Sequence, residues 1–391
     1  MDERREPLPA EGGRTERPKH RGLRRFLIFL GVLAAVLGVV ALAAWRDGTG
    51  FDALRRYFAY GSGATGTGVI RYENASTNRF VSLDGGVAVL SDRELTVLDA
   101  DGGEVFRTAA AMASPALTGC GGRAAAYDVG GTELYLVDGS GEKLHLTTDG
   151  AIQAVTLTPG GWLTVTAEGK NCKSAVTVYS PAGAEAFRFQ SSRRFLSTAA
   201  VTADGKYLAA VALGQESGTF TSYLLFYDLS QDAEEPQFTC PVPDDLVFEL
   251  GITGSALCAL GQDGLSLFPS AGTAGEGFSW SGEHLRGYHF GGDGFALLQL
   301  SRYQSGSTGR LVSLDGAGNV LGEREVSEEI LDLSAAGRYA AVLYPDRCVV
   351  YTSAMEEYAS LMGTDGVRAV LQRSDGSVLL LGAEEARLFV P

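Results

Sequence analysis

Histidine is scarce in this sequence: His20, His145, His284 and His289 are the only four among 391 residues, too dispersed for a metal cluster. His284 and His289 stand five apart in a strand pattern, hence on opposite faces, and cannot hold one ion by local geometry. Cysteine is nearly as thin. The five residues Cys120, Cys172, Cys240, Cys258 and Cys348 are odd in number and show no CxxC spacing, which argues against a zinc site or a disulfide framework. Cys258 falls inside an apolar strand pattern and reads as a small buried hydrophobe. Basic charge is short as well, with Lys+Arg 32 against Asp+Glu 47 and a net charge of −15. The first 25 residues carry eight Lys/Arg and five Asp/Glu, which leaves 24 basic against 42 acidic residues, or −18, on the rest. That balance argues against nucleic acid as a partner and for a soluble, acidic body.

Long hydrophobic runs are missing with one exception. From Phe26 to Trp45 the chain reads FLIFLGVLAAVLGVVALAAW, 20 residues without a charge, and about 20 helical residues cross a hydrocarbon core of about 30 Å. Arg21, Arg24 and Arg25 lie directly before it, so residues 1–25 are expected to be a disordered cytoplasmic tail and the remainder extracytoplasmic. Ala41-Leu42-Ala43 resembles a signal-peptide cleavage site, but the run is longer than a signal core, which favours a retained anchor. Residues 46–68 are expected to form a stalk and linker: Phe51, Leu54, Tyr57 and Phe58 fall at helical spacing, able to rest on the bilayer or on the following domain, and GSGATGTG (61–68) is a flexible boundary.

The rest of the chain, 69–391, repeats one unit. VTADGKYLAAV, from Val201 to Val211, is an apolar end, an Asp-Gly turn and an alternating apolar strand. The outline recurs with turn glycines at Gly86, Gly122, Gly161, Gly205, Gly254, Gly294, Gly337 and Gly376, a mean period of about 41 residues, which suits four-stranded propeller blades. A third strand follows each hairpin, as in ELTVLD (94–99) or SYLLFYD (222–228), and an outer strand follows the first seven. The eighth repeat ends at Pro391 without one, and the lone strand from Val69 to Tyr72 fills its place by pairing near Arg387 to Val390. The fold class is therefore all-β, an eight-bladed β-propeller closed by an N-terminal strand and preceded by a single transmembrane helix. Cys120 and Cys172 then lie on connections at opposite faces, so no bridge is expected. Blade seven fits worst: in SAMEEYASLM (353–362), Met355, Tyr358 and Met362 fall at helical spacing, so its outer element is expected not to be a strand.

The third-strand runs TVLDADGGEV (96–105), YLVDGSGEKL (135–144) and VSLDGAGNVL (312–321) resemble the repeats of quinoprotein-like (PQQ-like) propellers, and the hairpins resemble WD40-type and YVTN-type repeats. With its anchor, stalk and closing propeller, nearly everything after residue 25 is similar to a family of membrane-anchored bacterial propellers, domain of unknown function 5711. These motifs imply blades rather than chemistry. The blade tryptophans of a quinoprotein dehydrogenase are lacking, since only Trp45, Trp162 and Trp280 occur; an adjacent Cys-Cys pair, an Asp-box and regular Gly-His and Trp-Asp pairs are absent. No catalytic residue, cofactor or metal is carried over from any relative.

The Asp-Gly pairs at Asp204, Asp293 and Asp375 sit at matching positions in different blades, so they read as turn chemistry rather than a calcium or carboxylate site. The second-to-third strand connections are long in blade three (167–174), blade four (213–221) and blade six (301–309), and with the outer-to-inner connection SSRRF (191–195) they open on one face. Lys170, Lys173, Arg193, Arg194, Arg302 and Tyr303 are the candidate binding residues of that face, a basic, partly aromatic set on an acidic domain. The expected function is a monomeric, non-catalytic propeller, anchored through Phe26 to Trp45, that binds a protein or glycan of the cell envelope, acidic in character. The alternative is an enzyme, a quinoprotein-like oxidoreductase or a hydrolase, with its site in the central channel.

Overall fold

The Asp-Gly repeat folds into hairpins because glycine accepts the left-handed backbone that the turn requires. In VTADGKYLAAV, Gly205 has φ 70° and its amide donates to Thr202 O at 2.9 Å, while Thr202 Oγ1 donates to Asp204 Oδ1 at 2.6 Å. Asp204 is thus used by its own turn. In the first repeat the left-handed residue is Gly85, φ 79°, and Gly86 already begins the next strand, Gly86–Leu90.

The computed structural model describes residues 21–46, 52, 56–58, 65–216, 218–231, 235–242 and 245–391. The chain divides into two units, Met1–Ala53 and Leu54–Pro391. The second unit contains eight four-stranded antiparallel sheets, covering 79–109, 115–147, 152–191, 196–242, 249–279, 284–326, 332–362 and 369–389. The last of these holds three strands of its own and is completed by Thr65–Arg71, which pairs antiparallel with Glu385–Phe389 in the register Val69↔Arg387, Ile70↔Ala386, Arg71↔Glu385. The expected closing strand is present and starts four residues earlier than its apolar part.

Burial follows position in the blade. Gly86–Leu90, Ala256–Leu260 and Tyr339–Leu343, all second strands, are buried at every residue because neighbouring blades cover both their faces. The outer strand Glu104–Ala109 alternates instead, one side facing water. Eight apolar clusters fill the joints, each drawn from two adjacent blades. The cluster of Ala200, Val211 and Phe226 with Leu250, Ile252 and Phe268 joins blades four and five; that of Ile70, Leu379 and Leu381 with Val87, Val89 and Leu98 joins blade eight to blade one. The latter joint closes the ring, so the propeller has eight blades.

Blade seven corrects one expectation. Its outer element is the strand Glu357–Met362, paired with Arg347–Thr352 through Arg347↔Met362 and Cys348↔Leu361. The helical spacing was fortuitous: Met355 lies in the preceding turn at φ 57° with its side chain buried in the joint between blades six and seven, Tyr358 packs on Tyr339 at 5.0 Å, and Met362 faces water. All five cysteines are free, and burial pushes the Cys258 thiol up to about 11, in keeping with a packing role.

Ahead of the closing strand, residues 56–58 are helical, and Arg56 is buried to 3% exposure. Its Nη1 donates to Asp375 O at 2.5 Å, its Nη2 donates to the Tyr358 hydroxyl, and its guanidinium stands 5.4 Å from the Tyr358 ring centre. Residues 56–58 of the stalk thus rest on the propeller at the first hairpin turn of blade eight through Arg56, while Tyr57 and Phe58 face outward.

In the first unit one helix, Arg21–Arg46, covers the apolar run. Its side chains are described from 25 to 39, all exposed, a stretch shorter than a span. Among the described residues no helix is long and apolar enough to cross a membrane. Of the expected tail (1–25), residues 1–20 lie outside the described residues, and 21–25 are not a disordered end but the first turn of the helix; residues 47–51, 53–55 and 59–60 of the stalk and half of the linker, 61–64, also lie outside the described residues.

Candidate functional site

Antiparallel order sends the first hairpin turn of each blade to one end of the propeller and the second-to-third connection, with the link to the next blade, to the other. The latter end is the loop face. Blade four reaches farthest there: Tyr207–Glu216 and Thr219–Asp228 are ten residues each, paired out to Gln215↔Phe220 and Glu216↔Thr219. Second and third strands of the other blades have four to seven residues. The extension carries Leu213 and Phe220 into solvent at 45% and 61% exposure, and Leu246 and Phe248 are exposed on the following link. That link is tied to the hairpin by Val247 N donating to Ser222 Oγ at 2.8 Å.

All six sequence-chosen residues are exposed on this face, but they form two groups. Lys173 Nζ donates to Arg193 O at 2.9 Å and stands 5.0 Å from the ring centre of exposed Phe195, joining blades three and four. Arg193 is offset by Glu235 at 3.4 Å, an exposed pair of little energetic weight. Arg194 hydrogen-bonds Tyr227, whose ring is buried in the joint between those blades, so it also serves the core. Lys170 makes no ion pair or side-chain hydrogen bond among the described residues. Arg302 and Tyr303 stand apart on blade six, and Arg302 shares a small cleft with Glu283, Glu323 and Glu325. The basic patch is therefore centred on the junction of blades three and four.

The sequence pointed to the channel as an alternative site but to none of its residues. Glu249, Tyr288 and Tyr127 come from blades five, six and two, and what residues on such distant blades share is the space around the axis. Burial raises the Glu249 carboxyl above its ordinary value although Tyr288 donates a hydrogen bond to it; burial, with Glu249 nearby, pushes Tyr127 up to about 12. On the same axis, burial holds Asp332 high while its Oδ2 accepts from Val370 N at 2.8 Å. His289 Nδ1 accepts from Gly291 N at 2.9 Å, and burial pushes its imidazole down to about 4, so the neutral ring carries its proton on Nε2. Residues scattered over more than a hundred positions meet here through ring closure, and nothing in their local sequence marks them.

A raised carboxyl pKa has a definite stability signature. Glu249 favours the folded state fully below its unfolded pKa, about 4.3, and that contribution is lost as pH rises through the higher folded value. Glu249→Gln keeps the Tyr288 partner and removes the ionisation, so it is expected to raise Tm at about pH 8 with a gain that shrinks toward pH 4. Thermal melts across that range check it; a variant less stable than the parent at the alkaline end would contradict a strained carboxylate.

Comparisons with known proteins follow the same division between architecture and chemistry. One family model, described as a family of unknown function (DUF5711), matches residues 62–385. No curated protein matches the sequence. Solved propellers match in fold: Saccharomyces cerevisiae Sqt1 at 10% identity and TM-score 0.53, covering 82% of this chain and 97% of that one. A quinohemoprotein alcohol dehydrogenase from Pseudomonas putida aligns at 10% identity and TM-score 0.50, covering 82% and 75%. BamB from Moraxella catarrhalis aligns at 14% identity and TM-score 0.48, covering 82% and 98%. The likeness to Sqt1 and to the dehydrogenase shows the propeller fold and nothing of its chemistry.

Proposed function

The chain belongs to the DUF5711 family, and from that premise we propose that it is a membrane-anchored, extracytoplasmic propeller that binds an envelope protein through its loop face and catalyses no reaction. The blade-four hairpin carries this reading. It lifts Leu213 and Phe220 off the body beside Phe195, Leu246 and Phe248, and a soluble domain rarely leaves several large apolar side chains together without a partner. Lys170, Lys173 and Arg193 beside them add a local positive charge on a −18 body, which suits an acidic rim on the partner and a salt-sensitive encounter. A glycan partner is supported less well, because the exposed groups are more apolar than hydrogen-bonding.

A second reading, a quinoprotein-like oxidoreductase or hydrolase in the channel, draws support from the shifted Glu249, Asp332 and His289. It ranks second because Glu249 is capped by Tyr288 and His289 Nδ1 is taken by Gly291, so neither is paired as a base with a nucleophile.

The test uses intact producing cells. External protease is expected to remove the propeller and spare the tail, as the apolar run and its basic flank imply; a protected propeller would reverse the orientation. A photo-crosslinker at Phe220 is expected to trap one discrete partner, and one at Asp204, on the opposite face, to trap none. Lys170→Glu with Arg193→Glu should weaken the Phe220 adduct at low salt with Tm nearly unchanged. Equal adducts from both faces would remove the loop face as the binding surface.

A further inference from the structure

The mouth of the channel holds a feature that loop-face binding does not use. A cavity of about 420 Å³ opens among blades one, seven and eight and reaches His289 of blade six. Arg79 begins the inner strand Arg79–Leu83 of blade one, and Arg368 directly precedes the inner strand Ala369–Gln372 of blade eight. Closing the ring makes these blades neighbours and sets both arginines on the wall of one cavity.

Their state differs from that of arginines on the third and outer strands. Arg107, Arg188, Arg310 and Arg347 each hold a carboxylate at 3.0 Å or less. Among the described residues neither the Arg79 nor the Arg368 guanidinium makes an ion pair or a hydrogen bond; Arg368 bears only electrostatically on the Tyr72 phenol. The acid on the same wall, Asp332, is turned to the Val370 amide. His289, with Nδ1 occupied, adds an Nε2–H to the donors, and Phe80, Leu333 and Leu371 supply apolar surface. Two guanidinium forks on a concave wall match an oxyanion, and the volume is in the range that takes a small organic ligand.

We propose that this cavity binds a small organic oxyanion, a carboxylate or phosphate ester, with its charged end between Arg79 and Arg368 and its carbon skeleton against Phe80, Leu333 and Leu371.

Calorimetric titration of the full chain in detergent with phenyl phosphate, benzoate and inorganic phosphate tests it. Phenyl phosphate or benzoate is expected to bind more tightly than inorganic phosphate. Arg79→Gln and Arg368→Gln should each weaken that binding by about tenfold, the scale of one charged hydrogen bond. Both arginines are exposed, so the variants should melt with the parent, which separates lost binding from lost fold. Lys170→Glu with Arg193→Glu should leave the titration unchanged, so failure of loop-face binding and failure of this site are told apart. No heat with either organic probe, inorganic phosphate binding as tightly as both, or full affinity in the double arginine variant would each overturn the proposal.

Discussion

Ile70→Asp is expected to cost the propeller more than about 4 kcal/mol, enough to leave little folded protein, because it buries a charge with no partner. Ile70 is 2% exposed and sits in the joint where blade eight meets blade one, among Val87, Val89, Leu98, Leu379, Leu381 and Ala386. Among the described residues the strand that carries it is the only one paired to the outer edge of Glu385–Phe389, so its loss also bares a row of unpaired backbone groups. Val69→Asp is the matched control. Val69 lies in the same strand but points outward, 43% exposed, and should change stability by no more than about 0.5 kcal/mol. Soluble yield and the melting temperature at a fixed scan rate read the difference, since a chain of this size is apt to unfold irreversibly. If the two variants behave alike, Thr65–Arg71 does not close the ring.

The second large effect is expected at Arg56. Arg56→Met keeps the apolar stem and removes the donors to Asp375 O and the Tyr358 hydroxyl, each about 1.5–3 kcal/mol for a charged donor. Two compensations limit the loss. The Nε of Arg56 is itself buried without a partner, so burial of the guanidinium is incompletely offset in the parent. The segment lies outside the blade strands, so the global melt should fall by less than the local loss. The direct readout is hydrogen exchange of the 56–58 amides, expected to quicken while those of Tyr339–Leu343 stay protected. Gly376→Ala attacks the same seat from the other side. Gly376 has φ 89°, and an added Cβ would lie 2.5 Å from Arg56 Nη1 and 3.1 Å from the Tyr339 ring. Combined with Arg56→Met, its effect should be less than additive, because the shortest of these contacts disappears with the guanidinium while the Tyr339 contact and the backbone strain stay. Full additivity, or unchanged exchange at 56–58, would mean that Arg56 does not fasten the stalk.

Both cases show what kind of information each level held. The closing strand was legible because the missing outer strand of blade eight and the spare strand at Val69 are countable in the sequence. Arg56 was not: Phe51, Leu54, Tyr57 and Phe58 drew attention as the apolar face of the stalk, whereas the docked side chain is the charged one between them. A guanidinium becomes a docking group only when a carbonyl and two tyrosines converge on it, and Asp375, Tyr358 and Tyr339 lie some three hundred positions away. The loop-face set shows the same limit in milder form. Strand order fixed the face for Lys170, Lys173, Arg193, Arg194, Arg302 and Tyr303, yet Glu235, Tyr227 and the acids around Arg302 decide which of those charges are free to act.

By itself the sequence determined the all-β architecture, the count of eight blades, the closing strand and the face on which the long loops emerge. Those follow from turn glycines and period-two alternation, signals confined to ten residues or fewer. Blade seven marks the edge of that method, since three side chains at helical spacing outweighed a pattern that pairing with Arg347–Thr352 later imposed. Tertiary structure alone decided the seat of Arg56, the cluster of Glu249, Tyr288 and Tyr127, and the cavity that Arg79 and Arg368 both line. Each needs blades that the ring brings together from remote parts of the chain, and whether a buried acid or an arginine has a partner depends on that closure rather than on its neighbours in sequence.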